Sequence, residues 1–157
     1  MSFKTTLGVA IAAGAMSLSS AALADNHGDE ASDDKALVIL TSDSLETQGM
    51  AMILANAMQE QGTELSILLC DGAGDLAVDG YESAEPIETP PDNPAGKVKP
   101  EGIMQMLMDN GAQVDVCAIY LPNSEHSEED LRDGVGVAAP GPMAEMMRDP
   151  AIPTYSF

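Results

Sequence analysis

Short apolar segments of strand length alternate with helix-like segments along most of this chain. One helix is predicted to begin at Asp43 or Ser44 and to end at Gly62, and a second runs from Pro100 to Gly111. A strand, a helix and a second strand form the repeating unit of parallel sheets, so the alternation predicts an α/β fold. The apolar segments that flank these helices are ALVILTS at 36–42, ELSILLC at 64–70 and QVDVC at 113–117.

The rest of the chain continues this alternation less regularly. One helical turn is predicted at 128–132, a short strand at 135–138, a helix from Pro142 and a last strand at 152–157. Together the elements predict a three-layer, doubly wound sheet of about five parallel strands, with helices on both faces. Residues 80–99 are predicted to form an irregular, Pro-rich surface loop. Its prolines are Pro86, Pro90, Pro91 and Pro94, and they stand among acidic residues.

Apolar side chains predict which face of each helix packs against the sheet. In the first helix they recur at i, i+3, i+4, i+7 and i+8, which gives a single stripe. In the last helix Met143, Met146 and Met147 are expected to point inward, whereas Met52 and Met104 are candidates for contact with a neighbouring subunit. The stripe of the first helix consists of Met50, Ile53, Leu54, Ala57 and Met58.

The amino terminus has the three parts of an export signal. Lys4 supplies a positive charge, residues 7–18 are apolar, and Ala22-Leu23-Ala24 matches the small-residue cleavage pattern. Residues 1–24 are therefore predicted to be a signal peptide that is cleaved after Ala24, and the protein is predicted to be periplasmic.

Beyond the signal peptide the chain is predicted to have one folded domain. Residues 25–35 are acidic and lack apolar periodicity, so we expect a disordered leader there, followed by the domain at 36–157. No later segment approaches the ~20 apolar residues of a membrane span, so no membrane association is expected after cleavage.

Acidic residues greatly outnumber basic ones. The chain has 26 Asp and Glu against 6 Lys and Arg, which gives a net charge of −20. Such a surface repels nucleic acid and anionic lipid, so neither is an expected partner. Solubility in a salty medium is the favoured explanation for the charge, and an acidic patch for a cationic partner is the alternative.

Two cysteines end two of the predicted strands. Cys70 closes the second strand and Cys117 the third. Sites in parallel sheets form at the carboxyl ends of the strands, so both residues are candidate catalytic thiols. Neighbouring strands lie about 4.8 Å apart and a disulfide spans a Cα separation of about 4.4–6.8 Å, so the cysteines can pair if they lie level. Three possibilities stay open: persulfide or redox chemistry, a structural disulfide, or inert buried thiols.

The order and spacing of four segments between 36 and 157 resemble the DsrE/DsrF-like (DsrEFH-like) sulfur-relay family. The resemblance implies a small doubly wound, flavodoxin-like domain that assembles into a homo-oligomer (trimer or hexamer) or a hetero-hexamer. It also implies a sulfur donor or acceptor protein as partner. In active members a cysteine after the third strand carries sulfur as a persulfide; Cys117 matches its place, with Cys70 as a possible resolving partner. The export signal and the second strand-end cysteine depart from the family pattern. The segments are ALVILTSDSLETQGMAMILANAM, ELSILLCDGAGDLAV, GIMQMLMDNGAQVDVCAIYLPNS and GVGVAAPGPMAEMMRDPAIPTYSF.

Two other functions stay open at this point. One is a non-catalytic oligomeric binding or assembly module in which Cys70 and Cys117 form a structural disulfide. The other is a periplasmic copper-binding protein, suggested by Met104-x-Met106-x-Met108 and by a mature terminus that begins Asp25-Asn26-His27. Residues two apart on a helix point away from each other, so core packing explains the methionine run, and no metal or cofactor site is predicted.

Overall fold

A five-stranded parallel sheet with helices packed against it forms the centre of the structure. The computed structural model describes residues 34–91 and 96–157. Its strands are β1 (Lys35–Leu40), β2 (Glu64–Leu69), β3 (Ile87–Glu88), β4 (Lys97–Val98), β5 (Gln113–Cys117), β6 (Gly136–Ala138) and β7 (Thr154–Ser156). Its helices are α1 (Leu45–Glu60), α2 (Pro100–Asp109) and α3 (Pro140–Arg148), with 3-10 helices at Asp71–Ala77, Leu121–Asn123 and Glu128–Asp130.

The strand order of the sheet is β6-β5-β2-β1-β7, and every neighbouring pair runs parallel. From β1 the chain moves outward through β2 and β5 to β6, and then crosses back to place β7 on the other side of β1. Because such crossovers are right-handed, α1 and α2 cover one face and α3, whose crossover runs the opposite way, lies on the other. The predicted α/β class with five parallel strands is therefore confirmed.

Alternate side chains of the central strands form the core beneath α1 and α2. Leu40, Leu69 and Val116 are fully buried there and pack with Met52 and Met104 of the two helices. Both methionines are enclosed within the chain, so the expectation that they meet a neighbouring subunit was wrong. Their flexible side chains fill the core instead.

The inner face of α1 differs from the predicted stripe. Met50 is 54 % exposed and Leu54 43 % exposed. Apolar residues surround this helix almost completely, so periodicity alone could not select the inner face. Small residues allow the helix to lie close to its neighbours, and at Gly49 a Cβ would collide with the side chain of Ile87 in β3. The buried positions are Gln48, Gly49, Ala51, Met52 and Ala55.

The opposite face of the sheet is covered more thinly. None of the residues of α3 is buried, and the three residues of β7 are exposed. Met143 and Met146 are partly buried as predicted, but Met147 is 53 % exposed, so its inward placement was wrong. With only nine residues, α3 is too short to cover this face.

The Pro-rich segment at 80–99 contains regular structure that the sequence did not predict. β3 and β4 form a short antiparallel ladder in which Glu88 pairs with Lys97. The two side chains also form an ion pair at 2.9 Å. Pro86, Pro90 and Pro91 stand outside the paired positions, so they do not interrupt the ladder.

Across residues 34–91 and 96–157, no helix has the length and apolar character needed to cross a membrane. The predicted signal peptide and most of the predicted leader lie outside the described residues.

Candidate functional site

The pairing of β2 with β5 brings Cys70 and Cys117 together. Leu69 lies opposite Val116, so the next residues along the two strands come level at the carboxyl edge of the sheet. Leu69 and Val116 point into the core, and Cys70 keeps an extended backbone (φ −132°, ψ 162°), so strand alternation directs both cysteines away from the centre of the core, although Cys117 still packs against it. Both thiols are free and partly buried.

The two thiols of this dithiol pair are not equivalent. Several causes together raise the pKa of Cys70 to about 12: burial is the largest, followed by the hydrogen bond that its S–H donates to the sulfur of Cys117. The charges of Cys117 and Asp71 act in the same direction, and a hydrogen bond from the backbone N–H of Cys117 acts against them. Cys70 is therefore protonated at neutral pH, and Cys117 offers the sulfur that accepts its hydrogen bond.

A pocket of ≈ 710 Å³ opens above the dithiol pair. One wall is the 3-10 helix that follows Cys70, and the other is the segment that follows Cys117. This is the size of a small-molecule site. The lining side chains that matter for its chemistry are Asp71, Asp75, Ile119, Tyr120, Glu125 and His126.

A sharp backbone turn directly follows Cys70. Asp71 has φ 50°, in the left-handed region that few residues other than glycine adopt and that aspartate tolerates. At Gly72 a Cβ would lie 2.6 Å from the Cβ of Asp43, so only glycine fits beside the turn between β1 and α1. These two residues turn the chain away from the sheet at the point where Cys70 lines the pocket.

Tyr120 joins the two walls. It is buried, its hydroxyl donates a 2.7 Å hydrogen bond to Asp75, and its ring stacks on that of His126 at 6.5 Å between centroids. The ring also lies against Gly74, where a Cβ would overlap it. Burial and the hydrogen bond to Asp75 raise the pKa of Tyr120, so the phenol stays neutral and acts as an anchor.

Sequence reasoning identified both cysteines but missed Tyr120 and Asp75. These two residues are 45 positions apart, so no local pattern could pair them. The sequence feature that could have indicated this contact is Gly72-Ala73-Gly74, which on sequence alone is interpreted as a turn. In the structure the ring of Tyr120 packs against Gly74.

The residues suggested for copper do not converge. Met104 is fully buried, whereas Met106 is largely exposed on a different face of α2. No group of three or more His, Cys, Asp or Glu side chains within the described ranges is arranged to hold a metal ion. The Asp25-Asn26-His27 terminus lies outside those ranges.

Comparison with known proteins identifies the fold. No family model matches this chain, and no curated protein matches it. The solved structure of YchN from E. coli is 18 % identical and covers 78 % of this chain and 99 % of its own, with a TM-score of 0.59. A protein of unknown function from Methanobacterium thermoautotrophicum, MTH1491, is 15 % identical over 74 % of this chain and 91 % of its own, with a TM-score of 0.51. Both have the DsrEFH-like fold. This chain therefore has a DsrEFH-like α/β fold.

Proposed function

We propose that the protein transfers sulfur in the periplasm, carrying it as a persulfide on Cys117 with Cys70 as the resolving thiol. The observation that carries the proposal is the dithiol pair, two free thiols side by side that line a pocket of ≈ 710 Å³. A structural disulfide needs no such pocket. The DsrEFH-like fold supports the proposal only at the level of architecture, because a fold does not fix a function.

The sulfur-transfer chemistry requires one reactive thiolate. The Cys117 thiolate attacks the outer sulfur of a donor persulfide R–S–SH, which forms Cys117–S–SH and releases R–S⁻. An acceptor thiolate R′–S⁻ then attacks that outer sulfur, which forms R′–S–SH and restores the Cys117 thiolate. Because the pKa of Cys70 is about 12, Cys117 is the better placed of the two to be the nucleophile.

The Cys117 persulfide can also react with Cys70 instead of with an acceptor. Its thiolate can attack the inner sulfur of Cys117–S–SH, which forms the Cys70–Cys117 disulfide and releases HS⁻. A dithiol reductant then restores both thiols. Because Cys70 is protonated at neutral pH, this step is slow without a base, so the persulfide has time to reach an acceptor.

Sulfur loading of the reduced protein tests this function. After incubation with the persulfide of cysteamine and removal of excess donor, we expect mass spectrometry to find one added sulfur atom on the peptide that contains Cys117. Cys117→Ser should take up none. Cys70→Ser, the matched control, should load normally and release less HS⁻ because the resolving thiol is missing. Equal loading of the Cys117→Ser protein would contradict the proposal.

We also propose that the protein forms a homo-oligomer through the thinly covered face of the sheet. Met147 of α3 is exposed on that side of the domain, and β7 is an exposed edge strand of the sheet. At a net charge of −20, subunits repel each other at low ionic strength, and salt relieves this as the Debye length falls from ~30 Å at 0.01 M to ~10 Å at 0.1 M.

Light scattering across this range of salt concentration is expected to show a trimer or hexamer, and the fraction of chains assembled should increase with salt. Met147→Ser should weaken the assembly. Met50→Ser is the matched control, because Met50 is equally exposed but belongs to α1 on the other face. A monomer at every salt concentration would contradict the assembly.

A further inference from the structure

The charges around the dithiol pair all have one sign. Asp71, Asp75 and Glu125 line the pocket, and no lysine or arginine is among the described residues that line it. The wall formed by the segment that follows Cys117 has three titratable side chains among the described residues: Tyr120, Glu125 and His126. Asp71 directly follows Cys70 and its charge acts on that thiol. A ligand that approaches Cys117 therefore meets carboxylates at close range.

None of the five basic side chains in the described residues lines the pocket, and four of them have partners elsewhere. Arg132, the basic residue nearest in sequence to the pocket segment 119–126, donates to the backbone carbonyls of Leu76 at 2.9 Å and Tyr81 at 2.8 Å. Arg148 stands at the end of α3 and does not line the pocket. Ion pairs join Lys35 to Glu64, Lys97 to Glu88 and Lys99 to Glu82. None of these groups neutralises the carboxylates beside the thiols.

The remaining walls of the pocket are apolar. Ile119 is 71 % exposed beside Cys117, and the ring of Tyr120 forms part of the same wall. Such a surface favours an organic group over a strongly hydrated inorganic anion. The phenol of Tyr120 is already bonded to Asp75, so it is not available to stabilise an anionic ligand.

We propose that the donor to Cys117 is a small organic persulfide whose carrier group is neutral or cationic, and that the pocket excludes anionic donors such as thiosulfate. This inference rests on the proposed sulfur transfer and specifies its substrate class. The reaction is the one already given: the Cys117 thiolate takes the outer sulfur, and the carrier group leaves as R–S⁻. A cationic carrier places its positive charge beside Asp71 and Glu125 while the leaving thiolate is formed.

Thiol modification by reagents of opposite charge tests the selectivity. Methanethiosulfonates with a trimethylammonium, a methyl or a sulfonate group share one leaving group, so their rates at Cys117 in the Cys70→Ser protein report charge discrimination. After division by the rates of a free small thiol, we expect the cationic reagent to react about tenfold or more faster than the anionic one, with the ratio shrinking as salt rises.

Matched variants distinguish the effect of the carboxylates in the pocket from the effect of the net charge of the protein. Asp71→Asn, which keeps a residue that tolerates the left-handed backbone, and Glu125→Gln should each reduce the ratio. Glu60→Gln, at the end of α1, changes the net charge equally and should not. Equal rates for the cationic and anionic reagents after this division would overturn the selectivity. An effect of Glu60→Gln as large as that of Asp71→Asn or Glu125→Gln would overturn it as well.

Sulfur uptake from donors of opposite charge completes the test. We expect the cationic persulfide of cysteamine to load Cys117 faster than either of two anionic donors. These donors are the persulfide of glutathione and thiosulfate itself. Equal loading by all three would overturn this inference and leave the proposed transfer intact. No loading by any donor, together with a Cys117 that no reagent modifies, would instead overturn the proposed function itself.

Discussion

Replacing Glu101 by alanine is expected to lower the free energy of unfolding by about 2–4 kcal/mol, a large part of the usual stability of a domain. Glu101 lies in the first turn of α2 and is only 6 % exposed. Its carboxylate accepts a 2.9 Å hydrogen bond from the backbone N–H of Ser83 and a 2.6 Å one from its hydroxyl. Alanine would leave both donors of the buried Ser83 without a partner.

Urea denaturation of Glu101→Ala and of an exposed control measures this effect. Glu60→Ala, at the solvent-exposed end of α1, should change the free energy of unfolding by no more than about 0.5 kcal/mol. Equal effects at the two positions would show that the contacts between Glu101 and Ser83 do not stabilise the fold.

The same carboxylate predicts a dependence of stability on pH. Burial acts to raise the pKa of Glu101, but the hydrogen bonds from Ser83 and the nearby Lys99 outweigh it and hold the pKa below its ordinary value. A depressed pKa in the folded state stabilises the protein above the unfolded-state value of about 4.3, and this contribution is lost as the pH falls through the folded-state pKa. The stability difference between the wild type and Glu101→Gln should therefore shrink between pH 7 and about pH 3. A constant difference would contradict this.

Much of the fold could be predicted from the sequence because the first three strands of the sheet are short segments rich in apolar residues. Such segments are typical of buried parallel strands, and the helix between each pair fixes their connection. The predicted start of α2 at Pro100 agrees with the structure for a physical reason: proline lacks the N–H that the first helical residue does not use. The convergence of Cys70 and Cys117 follows from these same strands.

Contacts distant in sequence could not be predicted in this way. The bond from Tyr120 to Asp75 and the bonds from Ser83 to Glu101 join residues on separate elements. The periodicity of apolar residues could not predict the inner face of α1 either. Small apolar residues such as Ala51 and large ones such as Met50 lie on different faces of this helix, and the small ones are buried. The export signal, the periplasmic location and the oligomer stay predictions.

The most direct test of the dithiol pair is controlled oxidation of the folded protein followed by peptide mapping without reduction. We expect a mild oxidant to form a disulfide between Cys70 and Cys117 within one chain, because their thiols already share a hydrogen bond. Dithiothreitol should reverse it without unfolding the protein, since the pocket gives access to both sulfurs.

The single-cysteine variants provide the control for this measurement. Neither Cys70→Ser nor Cys117→Ser can form the internal bond, and in Cys70→Ser the thiol of Cys117 should be open to alkylation. In the wild type we expect a reversible Cys70–Cys117 bond and alkylation of Cys117 in the reduced form. Two thiols that resist both the oxidant and alkylation in the folded protein would contradict it and leave Cys70 and Cys117 as inert core residues.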